Sequence, residues 1–279
     1  MSSSGIAVVV TCYELGRTLP DALDSVTAQT ARAEEVVVVD DGSQDPLTQH
    51  VLARIEAEMP DVRVIRSEHR GPAHARNTGV DATTAPLAVL LDGDDLFAPS
   101  YLERASRLLA EREDLTFVCC ALQAFGRASY RWKPPPYTVA EAIGRGACGH
   151  ISTVFRRDMW ERVGRFDEEL PAYEDLDFWL RAIELGYRGA ILDEALLRYR
   201  VRPGSRYHDA VVQGRYVRAK EMLLERHREP VVTHGEDVFV ALLDFEREIA
   251  GHARSLHSEG QAIETELQAV EDDLAAARD

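Results

Sequence analysis

Basic charge is scarce in this sequence. Thirty-two Lys and Arg stand against 48 Asp and Glu, a formal net charge of −16 over 279 residues. Nucleic acids and anionic membranes are bound through broad basic surfaces, so no nucleic-acid partner is expected. Cysteine is equally sparse: Cys12, Cys119, Cys120 and Cys148 form no CxxC pair, and two of them sit side by side in the apolar run "LTFVCCAL". That usage predicts reduced, mostly buried thiols rather than disulfide staples. No apolar run approaches the roughly 20 residues that cross a bilayer. The opening "MSSSGIAVVVTCYE" lacks the basic start and long apolar stretch of a signal peptide. A cytoplasmic protein is expected, with peripheral membrane association left open. Two nucleotide signatures are also missing: no G-x-G-x-x-G follows the first apolar run, and there is no P-loop.

Apolar residues make up 45% of the chain, enough for one large core or two small ones. In the first half, β-branched runs alternate with amphipathic stretches. "IAVVV" (6–10), "EVVVVDDGS" (35–43), "VRVIR" (62–66) and "PLAVLLD" (86–92) read as strands. The segments 17–30, 45–59, 72–82 and 99–112 between and after them read as helices, the first with Thr18 as N-cap and Pro20 in its opening turn. This alternation predicts an α/β fold with a mainly parallel sheet covered by helices on both faces. Further on, "GACGHISTVFRR" (146–157), "RGAILD" and "LLRYRV" read as strands, and "EDLDFWLRAIELG" (174–186) as a helix ending at Gly186. From about residue 210 the pattern is purely helical. Leu242, Ile249, Leu256, Ile263 and Val270 recur every seven residues, and residues 236–279 carry 12 acids against 3 bases. That tail suggests either packing onto its own domain or a homo-oligomer. Three regions are expected: 1–122, 123–209 and an acidic helical extension over 210–279.

Ligands of open α/β sheets bind beyond the carboxyl ends of the strands. Three strand ends here are polar: "TCYE" (11–14), "DDGS" (40–43) and "DGDD" (92–95). Clustered carboxylates repel unless a cation neutralises them, and Mg2+ or Mn2+ prefers oxygen ligands shared with phosphates. Asp92 and Asp94 are placed to share such an ion, while Asp95 reads as a turn cap. A D-x-D after a strand also marks a class of phosphatases, but those carry it on the first strand with Thr or Val where this chain has Leu96. Tyr13 offers a ring to a base, Glu14 an acceptor to a ribose, and Asp40 or Asp41 an acceptor to a base N–H. Glu174, Asp175 and Asp177 crowd the start of a helix, where the macrodipole favours acids. Mutual repulsion should raise their pKa values toward those of a general base. Basic residues gather locally in His69, Arg70, His74 and Arg76, and again in Arg198, Arg200, Arg202, Arg206 and His208. Arginine suits phosphate oxygens bidentately. His150 and Trp179 fit a core as well as a site.

"VVVTCYELGRTLPDALDSVTAQT", "EVVVVDDGSQD", "GPAHARNTGVDAT", "LLDGDDLFAP" and "YEDLDFWLRA", in this order and spacing over roughly residues 5–205, resemble the inverting family 2 glycosyltransferases of GT-A fold. The resemblance implies a GT-A-type sheet flanked by helices, a nucleotide-sugar donor, most commonly UDP-linked, and Mn2+ or Mg2+. It implies nucleotide contacts from Thr11, Tyr13, Glu14, Asp41, Arg76 and Asp92, with Asp40 supporting the loop. Asp94, with Asp92, would hold the metal, and Asp175 would be the general base, with Asp177 or Glu174 as alternatives. Relatives often carry a His near position 202, where this chain has Arg, so His208 is the candidate substitute for a third metal ligand; Arg202 and His208 are also the candidates for the diphosphate. The acceptor, whether saccharide, lipid-linked or protein, is left open. A non-catalytic nucleotide-binding module acting through the acidic tail is the alternative of a different class.

Overall fold

The computed structural model describes residues 4–202 and 215–248. β1 (Ile6–Cys12) is buried along its whole length. It pairs in parallel with β2 (Glu35–Asp40) and β4 (Leu87–Asp92), and β2 pairs in parallel with β3 (Val62–Arg66). These strands are apolar on both faces because both faces are covered. Val8, Val10 and Val38 pack with α1 (Leu19–Thr27) and α2 (Pro46–Glu58), while Val9, Val37 and Val39 pack with α3 (Pro72–Asp81). α3 lies unusually close. A Cβ on Gly79 would stand 2.1 Å from a Val9 methyl, so only glycine lets the helix settle onto the strands at that point. Thr18 occupies the N-cap position of α1 but makes no side-chain cap, whereas Asp45 caps α2 through the Thr48 N–H.

Among the described residues, nine strands form one sheet in the order β3-β2-β1-β4-β8-β6-β9-β5, with β7 attached to β6. β5 is Leu96–Phe97, β6 Phe117–Gly126, β7 Arg131–Trp132, β8 Val154–Arg156 and β9 Gly189–Val201. The α/β class and its flanking helices are as expected, but the parallel pairing belongs to the first half. β8 runs antiparallel to both β4 and β6, β5 antiparallel to β9, and β6 parallel to β9. Three local expectations change. Only residues 154–156 of "GACGHISTVFRR" are strand, "RGAILD" and "LLRYRV" are one strand with a register shift opposite Ala121, and the boundary expected at 122/123 falls inside β6. All four cysteines are buried and none is in a disulfide. No described helix is long and apolar enough to cross a membrane.

The second half is built on an aromatic core of Phe117, Phe155, Trp160, Phe166, Phe178 and Trp179. Trp179 is therefore core, as is His150, whose Nε2 lies 2.9 Å from the Cys120 carbonyl. Against this core lie α5 (Val139–Arg145), α6 (Arg157–Val163) and α7 (Glu174–Glu184), while α4 (Tyr101–Glu111) packs in the other core with α1 and α2. The C-terminal region, as far as it is described, forms α8 (Arg215–Arg226), α9 (Arg228–Thr233) and a helix over 235–248. It is docked onto α5 and α7. Ala219, Leu223 and Ala241 are buried, and a Cβ on Gly144 of α5 would meet Ala241 at 2.7 Å. Of the heptad positions, only Leu242 falls within the described residues, half-exposed; Ile249, Leu256, Ile263 and Val270 lie outside them.

An ionic cluster fastens α8 to α7. Asp177, fully buried, accepts from Arg181 at 2.8 Å and Arg226 at 2.7 Å, and lies 3.3 Å from His227 Nε2. The other ring nitrogen of His227 is 2.6 Å from Glu184. Burial opposes the charge on Asp177, but the His227 hydrogen bond and the Arg181 and Arg226 charges outweigh it and bring its pKa down to about 2. For His227 burial also opposes charge, and the bonds to Asp177 and Glu184 raise its pKa nonetheless. Asp177 therefore adds stability above its unfolded value of about 4, and that stability is lost as pH falls toward 2. His227 adds stability below about 6.5, lost as pH rises through its higher folded value. In urea titrations the stability difference between wild type and Asp177→Asn should be near 2 kcal/mol at pH 5 to 6 and shrink steadily between pH 4 and 2. A difference that does not change with pH in that range contradicts the cluster.

Candidate active site

The expected polar strand ends do open on one edge. Thr11 is in register with Asp92, and Cys12 with Asp40. The "DDGS" turn is held from both sides. Asp40 Oδ1 accepts from the Ser43 N–H at 3.1 Å, and its carbonyl accepts from the Ser67 N–H. The Asp41 carboxylate, buried, accepts from the N–H groups of Arg70 and Gly71 at 2.9 Å each. Loop support, assigned to Asp40 from the sequence, is thus shared by Asp41. Gly42, at φ 74°, lets the 67–71 loop close down: a Cβ there would stand 2.6 Å from the His69 nitrogen. Tyr13 is exposed, and its ring stacks on His69 at 4.0 Å between centroids and 18° between planes.

Glu14 departs from its expected ribose role. It holds a left-handed φ of 54°, and its carboxylate accepts from the backbone N–H groups of Gln44 and Asp45. Its work is to shape the edge between β1 and α2. A non-glycine residue at positive φ costs on the order of 1–3 kcal/mol and persists where surroundings over-determine it. Among the described residues Tyr173 is the other case, at φ 62°. It sits directly before the acids of α7.

Each carboxylate of "DGDD" has its own partner. Asp92 accepts from the Thr11 hydroxyl at 3.0 Å and from Arg76 Nη2 at 2.8 and 3.2 Å. Asp94 accepts from Arg202 Nε at 2.6 Å. Asp95 accepts from the Arg200 backbone N–H at 2.7 Å, and the Arg200 side chain donates to the Asp94 carbonyl and to Asp21. Asp95 is therefore a tie to β9, not a turn cap. Arg200 was legible only as one of several basic residues, because its task is set by where β9 ends. Burial pushes the Asp94 carboxyl up, with the Asp92 charge adding to this and the Arg202 hydrogen bond and charge opposing it without cancelling the rise. Burial, with Asp94 and Asp92 beside it, holds Asp95 well above the usual carboxylate range. Among the described residues no group of three or more His, Cys, Asp or Glu is arranged to hold a metal. What the edge offers is two oxygen donors, Asp92 and Asp94, with Asp94 still under-compensated. This fits Mg2+ or Mn2+, which keep waters and take substrate phosphate oxygens beside one or two carboxylates.

The three acids of α7 have unlike surroundings. Glu174 is buried and accepts from Arg76 Nη1 at 2.7 Å. Asp177 lies in the cation cluster described above. It is neither raised by its neighbours nor accessible as a base, which corrects both expectations. Asp175 is partly exposed; one of its oxygens accepts from the Leu176 N–H, and its charge contributes to the field at Arg76. Arg76 itself is buried, so it is a strut between Asp92 and Glu174 rather than an open nucleotide contact. Arg70 and His74, read as a basic patch, are tied to Glu168, as is Asn77. Arg198 and Arg200 lie over the Phe125 ring. His208 and Arg206 lie outside the described residues.

Comparison with known proteins bears on the family and the fold. The family model "Glycosyl transferase family 2" matches residues 7–163. An uncharacterized glycosyltransferase, EpsJ of Bacillus subtilis, is 26% identical over 215 residues, covering 72% of this chain and 62% of that protein. The succinoglycan biosynthesis protein ExoO of Rhizobium meliloti is 31% identical over 221 residues, with the same coverage. The chain thus spans about six-tenths of the length of these relatives. Two solved structures share its fold: S. aureus TarS in complex with UDP-GlcNAc (TM-score 0.62, 20% identity, 88% of this chain and 80% of that one) and the mannosyltransferase PcManGT from Pyrobaculum calidifontis in complex with GDP-Man and Mn2+ (TM-score 0.61, 21% identity, 94% and 82%). With more than half its length matched by the family model and its sheet edge built as described, the chain belongs to glycosyltransferase family 2.

Proposed function

We propose that this chain transfers a glycosyl group from a nucleotide-sugar, UDP-linked, to an acceptor hydroxyl with inversion at the anomeric carbon. The observation that carries the reading is the sorting of carboxylates around Arg76. One arm of Arg76 holds Asp92 at the donor edge and the other holds Glu174 at the first turn of α7, where the partly exposed Asp175 is the next residue and adds its charge at Arg76. TarS and PcManGT were crystallised with UDP-GlcNAc and with GDP-Man and Mn2+. Those ligands support a nucleotide-sugar and a divalent ion as the probes to try first.

The Asp175 carboxylate takes the proton of an acceptor hydroxyl as its oxygen bonds to the anomeric carbon. The bond from that carbon to the diphosphate oxygen breaks on the opposite face, and the nucleoside diphosphate leaves with the electron pair. Tyr13 and Asp41 receive the base. Asp92, aligned by Thr11 and Arg76, lies by the ribose. Glu14 acts indirectly, by holding residues 44 and 45 beside Tyr13. Asp92 and Asp94 would hold a divalent cation, which supplies charge neutralisation at the diphosphate when bound. Arg202, already on Asp94, is placed to add a bidentate-capable cation to the same phosphates. The rival reading, a non-catalytic module working through its acidic tail, is weakened because the extension to residue 248 packs onto the α7 that carries Asp175.

Asp175→Asn should lower transfer by about 10²–10⁴ while calorimetric UDP affinity changes little. Turnover near wild type would remove Asp175 from the role of base. Asp94→Ala should abolish the gain in UDP affinity that Mn2+ gives the wild type, and an undiminished gain would remove Asp94 from the metal site. A panel of nucleotide-sugars, scored for slow metal-dependent UDP release without acceptor, separates an enzyme from a binding module: the enzyme releases UDP, the module none.

A further inference from the structure

The stacked pair of Tyr13 and His69 bears on how a base reaches this site. We propose, building on the nucleotide-sugar reading above, that the His69 imidazole stands in for the nucleobase in the free protein, and that the base enters by ring-for-ring exchange with His69. The imidazole has both features the base would need. Its plane lies on the Tyr13 ring at 4.0 Å and 18°, a stacking separation. Its Nδ1 is 2.9 Å from Asp41 Oδ2 and 3.0 Å from the Asp41 carbonyl oxygen. The ring therefore presents an in-plane nitrogen to Asp41 while stacked on Tyr13. A centroid separation of 4.0 Å leaves no space for a second ring, so a base on this face must displace His69.

The surroundings make that exchange cheap. The His69 side chain is about half-exposed and belongs to no core cluster. Gly71, at φ 93°, has nothing within 4 Å of where a Cβ would be, so the loop is loosely packed at that point. The Asp41 carboxylate keeps its bonds to the Arg70 and Gly71 N–H groups when the imidazole leaves, and so stays aimed at the incoming ring. The same geometry names the ligand class. The site takes a base whose edge offers an N–H donor to Asp41, as uracil does at N3. Cytosine, with a bare acceptor at that position, would set a lone pair against the carboxylate.

Because the free protein spends part of its time with the position filled, removing the imidazole should tighten base binding. His69→Ala and His69→Gln should each bind UMP about two- to tenfold more tightly than wild type by calorimetry, since one stacked pair no longer competes. CMP should bind weakly to all three. Wild type provides an independent arm that needs no variant to fold. In carbon–proton spectra, the His69 ring protons should be shifted upfield by Tyr13 in the free protein and should return toward ordinary values as UMP saturates. Weaker UMP binding by both variants would overturn the exchange while leaving the nucleotide site in place. So would a His69 ring shift that persists with UMP bound, since the base would then lie on the other face of Tyr13. A folded wild type that binds no nucleotide at all would overturn the proposed function, and the exchange with it.

Discussion

The buried guanidinium of Arg76, held between Asp92 and Glu174, is the contact on which the site depends. It stands on α3, which the first half of the chain supplies and which Gly79 allows to lie directly on β1. One end reaches the carboxylate at the end of β4; the other reaches the first turn of α7, nearly 100 residues later. Buried ion pairs of this kind add little net stability, because desolvation consumes most of the attraction. What they add is geometry. An unpaired charge at this depth costs several kcal/mol, so the three elements have few relative positions in which all partners are satisfied. The donor edge and the acid at the start of α7 are thereby referred to one frame.

The same rule governs the rest of the edge. Three aspartates in four residues look self-repelling, yet each has a separate counterpart: Arg76 for Asp92, Arg202 for Asp94 and the Arg200 N–H for Asp95. Two of those counterparts come from the end of β9, so the second half of the chain is needed to make the "DGDD" turn of the first half tolerable. Asp94 remains under-compensated, with its carboxyl pushed up. That is the condition in which a further cation is favoured. At α7 the opposite holds: Asp177 has more positive charge around it than it needs, and it serves as an anchor for α8.

The parallel first half was legible because burial on both faces writes itself into continuous runs such as "AVVV" and "VVVV", and because Pro and Asp mark helix starts. The second half was not, since β8 is only three residues long and its antiparallel pairing with β4 and β6 depends on contacts between distant segments. Within the site, residue type and position marked Asp92, Asp94 and Asp175 as worth attention. Partners were the illegible part. Asp175 and Asp177 lie two apart in one helical turn; locally only Arg181, four residues beyond Asp177, separates them, and the rest of the difference comes from Arg226 and His227 some 50 residues on. Glu14 read as a ligand acceptor because its engagement with the backbone of residues 44 and 45 follows from a positive φ that sequence does not announce. His69 read as one basic residue among several, and only the closure of its loop over Gly42 brings it onto Tyr13.

If Arg76 is the strut described, Asp92 and Glu174 are coupled though each is bonded to Arg76 and not to the other. The direct test is a double-mutant cycle of Asp92→Asn and Glu174→Gln, read as urea stability, in the wild-type background and again with Arg76→Met. A coupling of about 0.5–3 kcal/mol in the presence of Arg76, vanishing in its absence, is the predicted result. Additive effects of the two substitutions in the wild-type background would contradict the account.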